Sequence, residues 1–130
     1  MNHEMRLHKE PFEMIESGIK NIEYRLNDEK RKEIKIGDTI TFYKRPEEIK
    51  TIKVVVTDLK YYPDLLSMYS ATFDKDFKNR YKTPQEVVED TPYYTEDEIK
   101  EYGCVAIYFN KIWVEIMNWI DRNIWSSGLN

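Results

Sequence analysis

Residues 51–60, TIKVVVTDLK, are the most β-branched stretch of the chain. Val, Ile and Thr lose rotamer freedom in a helix and pack well on a pleated surface, so this run reads as the central strand of a sheet. A second segment, CVAIYFNKI at 104–112, is apolar on both faces through its first half, which predicts a strand covered on both sides. Shorter strands are expected at MRLH (5–8), from Ile22 to Leu26, and at TITFYK (39–44). In the last of these Ile40 and Phe42 alternate inward after the tight turn Ile36-Gly37-Asp38.

The helices are short and are marked by their ends. Pro11 suits a first helical turn, Phe12 and Ile15 share one face, and Ser17-Gly18 closes the helix with Gly18 as a left-handed cap. Residues 27–34 read as a charged loop or single helical turn, 45–50 as a connection, 61–70 as a loop with a short helix, and 73–82 as an exposed charged loop. The T-x-x-E spacings Thr83–Glu86 and Thr95–Glu98 are capping boxes, predicting helices at 84–90 and 96–102, the second ended by Gly103. The expected class is α+β: a small, mostly antiparallel β-barrel of about five strands decorated by short helices, occupying residues 1–112. Beyond it, Trp113, Ile116, Met117, Ile120 and Ile124 recur at helical spacing, so 113–130 is expected to be a C-terminal amphipathic helix carrying all three tryptophans.

Composition narrows the functional classes. At 130 residues and 41% hydrophobic, the chain suffices for one core without metals or disulfides. Cys104 is the single cysteine, which rules out an internal disulfide and fits a reducing cytoplasm, and it reads as an inert buried thiol. His3 and His8 are the only histidines, so no zinc site and no cofactor are expected. No signal peptide is expected, and no apolar run approaches the roughly 20 residues of a membrane span. The net charge of −4 argues against a sequence-independent polyanion binder. The acid excess lies in residues 61–130, where Glu86, Glu89, Asp90, Glu96, Asp97, Glu98 and Glu101 make an acidic ridge. A phosphate-facing surface is therefore expected on the opposite rim, drawn from the first half.

The octapeptide GIKNIEYR (18–25) carries most of the functional signal. Strand alternation sends Ile22, Tyr24 and Leu26 to one side and Glu23 with Arg25 to the other. If the core claims the first set, the charged pair faces a cleft or solvent. Lys20 offers a point charge, Arg25 a planar fork, and Glu23 an acceptor for an amino group. On residue types alone, a Glu23–Arg25 ion pair that only fastens the strand to a neighbouring loop is the favoured reading. Six tyrosines of the second half, Tyr61, Tyr62, Tyr69, Tyr81, Tyr93 and Tyr94, fall in expected loops or helix edges, where a base could stack on a ring or the ring could pack on the barrel. Lys30-Arg31-Lys32 is interleaved with acids and reads as a solvated face, and His8 as a surface histidine.

Taken in order, these residues resemble the ASCH family (activating signal cointegrator homology), a branch of the PUA-like β-barrels. The resemblance rests on Leu7, Pro11-Phe12, Ile15, the G-x-K-x-x-E-x-R pattern of Gly18, Lys20, Glu23 and Arg25, the turn Gly37-Asp38 with Ile40 and Phe42, Tyr93-Tyr94, and Gly103 before the last strand. It spans about 5–112 and looks like the bacterial single-domain members. It implies a cleft beside the octapeptide that binds RNA or a nucleoside through Lys20, Glu23, Arg25, Tyr93 and Tyr94. Some small ASCH proteins resemble one another as amidohydrolases acting on N4-acetylcytidine, with a threonine nucleophile three residues after the lysine. Here Glu23 stands at that position, and a carboxylate cannot replace a hydroxyl in acyl transfer. A hydrolase of a modified nucleoside would have to use Lys20 and Glu23 as base and partner, with burial tuning their pKa values. A third reading is a protein-interaction module, in which the Trp face of 113–130, unless docked on the barrel, forms a homodimer.

Overall fold

The structure, a computed structural model, describes residues 1–112. The expected amphipathic segment 113–130 lies outside the described residues. The elements follow the order β1 (Asn2–Leu7), α1 (Lys9–Glu16), β2 (Ile22–Leu26), α2 (Glu29–Lys32), β3 (Thr39–Lys44), β4 (Thr51–Tyr62), α3 (Leu65–Thr72), a π-helical turn (Phe73–Phe77), α4 (Pro84–Glu89), α5 (Glu96–Tyr102) and β5 (Cys104–Lys111). The five strands form one sheet in the order β1-β3-β4-β5-β2. All pairings are antiparallel except β1 with β3, which run parallel in a register that sets Met5 beside Phe42 and Leu7 beside Lys44. The fold is therefore α+β, a curled half-barrel with short helices.

As the β-branched run predicts, β4 is central. Ile52, Val54 and Val56 point into the curl, and a bulge between Val56 and Asp58 shifts the strand's pairing with β5. A bulge bends the strand and increases its twist, which helps one sheet curl on itself. β5 is buried on both faces, and each face serves a different core. Val105, Ile107 and Phe109 pack inside the curl with Met5, Phe12, Ile15, Ile40 and Phe42. Cys104 and Ala106 pack on the outer side with Leu65, Met68 and Tyr69 of α3, Phe77 and Val87.

Several local expectations need correction. Strand β1 covers 2–7 rather than 5–8. Tyr61 and Tyr62 lie on β4, not in a loop. The stretch 73–82 is not simply an exposed charged loop: it opens with the π-helical turn, and Phe77 is buried in the outer core. At Thr95 both halves of the capping box form. At Thr83 the hydroxyl caps Glu86, but the Glu86 carboxylate accepts from the Lys82 N–H instead. Gly103 does more than end α5. It sits at φ +70, and an added Cβ would lie 3.0 Å from the Tyr62 carbonyl, so this strand-to-strand approach requires glycine.

The alternation along β2 is as expected, and of the two expected surroundings for the charged pair, cleft or solvent, it meets the cleft. Ile22 is buried in the outer core, where Tyr24 packs against the same cluster, so that face is covered by α3 and the π-helical turn. Glu23 and Arg25 sit opposite Ile107 and Val105 of β5, on the face that lines the curl. The charged pair does not point into solvent: Glu23 is only 6% exposed.

Candidate functional site

The end of α1 fixes where the site begins. Gly18 adopts φ +84, its N–H bonds the Ile15 carbonyl, and the Lys20 N–H reaches back to the Met14 carbonyl at 3.0 Å. This left-handed cap turns the chain so that Lys20 leads directly into β2. The Lys20 ammonium donates to the Ile22 carbonyl, lies 3.4 Å from Glu23 Oε1 and sits 5.1 Å from the centroid of the Tyr24 ring. From the other side Arg25 Nε donates to Glu23 Oε2 at 2.8 Å, while Arg25 Nη2 reaches the Arg6 carbonyl of β1 at 3.3 Å. Strands β1 and β2 are the two edges of the sheet, so this last bond ties them across the open seam.

Glu23 is thus a carboxylate held between two cations. Burial alone pushes its pKa up, but Arg25 and Lys20 together outweigh that and hold it below the ordinary carboxylate range. Burial likewise opposes the Arg25 charge, and Glu23 more than restores it. At neutral pH Glu23 is therefore a carboxylate and Arg25 a guanidinium cation. One hydrogen bond and one ion pair do not exhaust the roughly four acceptor directions of a carboxylate, so Glu23 keeps acceptor capacity.

The triad opens onto a cleft of about 540 Å³, within the range of small-molecule sites. Lys20, Glu23, Arg25, Tyr93 and Tyr94, all named from the sequence, line this one cleft. The Tyr93 and Tyr94 rings meet edge to face at 5.1 Å and both lie near the Arg25 guanidinium. Tyr93 is 70% exposed, whereas burial raises the pKa of the Tyr94 phenol. Of the other wall, Tyr69 and Tyr81 were among the six candidate tyrosines of the sequence, whereas Tyr24 and Phe77 were not. Tyr24, Tyr69, Phe77 and Tyr81 form a chain of ring contacts with centroids 5.1–6.1 Å apart, and their hydroxyls are engaged: Tyr24 donates to Asp76, Tyr81 to Asp90, and Tyr69 pairs with Thr91. For Tyr24 and Phe77 the only hint in the sequence was their aromatic character. Asp90 lies in the cleft wall rather than on an opposed ridge. Arg6, His8 and Arg45 complete the rim. Tyr61 is exposed on β4, and Tyr62 packs on the outer core.

Nucleophiles in the cleft are few. Thr91 has the only aliphatic hydroxyl among the lining residues; it donates to the Val87 carbonyl at 2.9 Å and pairs with Tyr69 at 3.0 Å. Cys104 is buried in the outer core, and burial pushes its thiol up to about 11. No helix among the described residues is long and apolar enough to cross a membrane.

A curled five-stranded sheet with a polar cleft at its open seam is the architecture of a PUA-like domain. The ASCH-domain profile matches residues 5–113, and the chain belongs to that family. The crystal structure of the hypothetical protein PH0355 is similar, at 35% identity over 86% of this chain and 100% of that one, with a TM-score of 0.74. The solution structure of PF0455 from Pyrococcus furiosus is 34% identical, covering 86% of this chain and 98% of that one, with a TM-score of 0.67. A mutant of ZmASCH from Zymomonas mobilis, 15% identical over 84% of this chain and 67% of that one, shares the fold at a TM-score of 0.55. None of the curated proteins matches the chain.

Proposed function

We propose that the seam cleft binds a nucleoside or a short single-stranded RNA segment. The observation that carries this reading is the Lys20–Glu23–Arg25 cluster of ion pairs, which lines a cleft that also has aromatic walls. Glu23 reads an amino group on the base edge, Tyr93 and Tyr94 offer rings for stacking, and Lys20 with Arg25 hold Glu23 in place. Domains of the ASCH and PUA-like class are generally linked to RNA binding, which supports the same reading.

The hydrolase reading is less well supported. It asked burial to tune Glu23 toward neutrality, but the two cations lower its pKa and leave it a weak base. The Thr91 hydroxyl is already donated to a backbone carbonyl.

Lys20→Ala is an ambiguous test, because Lys20 also neutralises a buried carboxylate. Tyr93→Ala is cleaner, since the ring is mostly exposed. Thermal stabilisation by the four common nucleosides and by short RNAs should reveal binding, and Tyr93→Ala should weaken it by about 1–3 kcal/mol, the worth of one stacked base. Failure of every nucleoside and RNA to bind, or full affinity in Tyr93→Ala, would reject the reading.

A further inference from the structure

The cations around the cleft are not equivalent. Lys20 and Arg25 are neutralised by Glu23. Arg6 pairs with Glu48 at 3.1 Å and lies 4.0 Å from Glu4. Arg45 differs: among the described residues no hydrogen bond, ion pair or aromatic contact engages its guanidinium, and none engages the His8 ring. The parallel register explains why these two emerge together. Leu7 of β1 pairs with Lys44 of β3, so the next residues are His8 and Arg45, and the Arg45 N–H bonds the Leu7 carbonyl at 2.8 Å.

Both residues face two cavities. Besides the seam cleft, they line a second hollow of about 560 Å³ bounded by Lys9, Glu10, Pro46 and Glu48. His8 and Arg45 are the residues common to the two walls. Of the hollow's two acids, Glu48 is committed to Arg6. Glu10 stands in the first turn of α1 and disfavours an anion deeper in the hollow. The place that favours an anion is the ridge itself.

We propose that His8 and Arg45 form a phosphate subsite, so that the natural ligand is a nucleotide within a strand, its base in the seam cleft and its phosphate on the ridge, with the chain continuing into the second hollow. This rests on the nucleoside-binding reading and assigns the phosphate to different residues from Lys20 and Arg25. An unpaired guanidinium presents a planar fork that matches two phosphate oxygens, whereas a cation already bound to a carboxylate must share or break that bond.

The test compares, on the full chain, the four nucleosides, their 3′- and 5′-monophosphates, the dinucleotide CpC and inorganic phosphate, by calorimetry with wild type and Arg45→Ala. The Arg45 side chain is exposed and engages no partner among the described residues, so the variant should melt with the wild type. Wild type should bind at least one monophosphate or the dinucleotide about tenfold or more tightly than the parent nucleoside, the effect of a charge-assisted pair. Arg45→Ala should bring that ratio close to one, and Arg45→Lys should restore part of it. The salt dependence of dinucleotide binding should lose about 0.7 from its log–log slope in Arg45→Ala. Nucleosides binding with no phosphate advantage, or an advantage unchanged in Arg45→Ala, overturns the ridge subsite and leaves the nucleoside cleft standing. Inorganic phosphate binding as tightly as the nucleotides overturns the strand assignment in favour of a free-anion site. Failure of all probes overturns the cleft reading itself.

Discussion

Phe42 and Glu23 are both nearly removed from water, and they are held by opposite means. Phe42 is 0% exposed, lies beside Met5 and Ile52 in the sheet, and its ring sits 5.5 Å from that of Phe109. Glu23 is 6% exposed and is flanked by Lys20 and Arg25. The difference follows from where each strand lies. β3 is hydrogen-bonded on both sides, so its inner face can be wholly apolar. β2 and β1 are edges facing each other without a ladder, and the gap between them is crossed by the Arg25 side chain bonding the Arg6 carbonyl. Ionised groups do this at a cost, because desolvation of a buried ion pair consumes much of its Coulombic gain. The seam is where charge, rather than apolar packing, closes the sheet.

That contrast can be broken in three ways. Phe42→Ala should have the largest effect. Removing a fully buried ring costs about 3–5 kcal/mol, and chemical denaturation should show it at every pH where the protein folds. An effect under about 1 kcal/mol would mean that the curl repacks freely.

Glu23→Gln comes next, at about 3 kcal/mol, because it leaves two cations facing each other without their carboxylate. Its signature is the pH dependence. Glu23 has a lowered pKa in the folded state, so its contribution is present above its ordinary value of 4.5 and is lost as pH falls below it. Asp38, drawn down to about 2 first by its His3 hydrogen bond, acts in the same sense, so the wild-type-minus-variant difference is the quantity to follow. That difference should be full at pH 6–7 and shrink on acidification. A difference independent of pH from 7 to 3 would show that the carboxylate is not held ionised.

The smallest effect is expected at Cys104. With its thiol at about 11 and its side chain in the outer core, it should resist thiol reagents at pH 8 until the protein unfolds. Stoichiometric labelling of the native protein would show that the outer core opens readily.

Much of this was legible in the chain because it is local. Gly18 as a left-handed cap, the inward Ile40 and Phe42, the central 51–60 strand and the doubly buried 104–112 strand all follow from signals within a few residues. Lys20, Glu23 and Arg25 of the octapeptide line one cavity together with Tyr93 and Tyr94. What covers the two faces of β2 was not legible. Alternation separates Glu23 and Arg25 from Ile22 and Tyr24, but it cannot say that both faces are covered.

By itself, then, the sequence determined the elements, their caps and the place where charge would gather, since helix and strand periods and capping act over one or two turns of chain. The tertiary structure alone decided that β1 and β2 become facing edges, that Tyr24 and Tyr69 join the cleft wall, and that His8 and Arg45 stand side by side. These depend on pairing segments about 20–80 residues apart. The outcome of such pairing is set by the closure of the whole sheet and by the two cores it must cover, for which no local pattern exists.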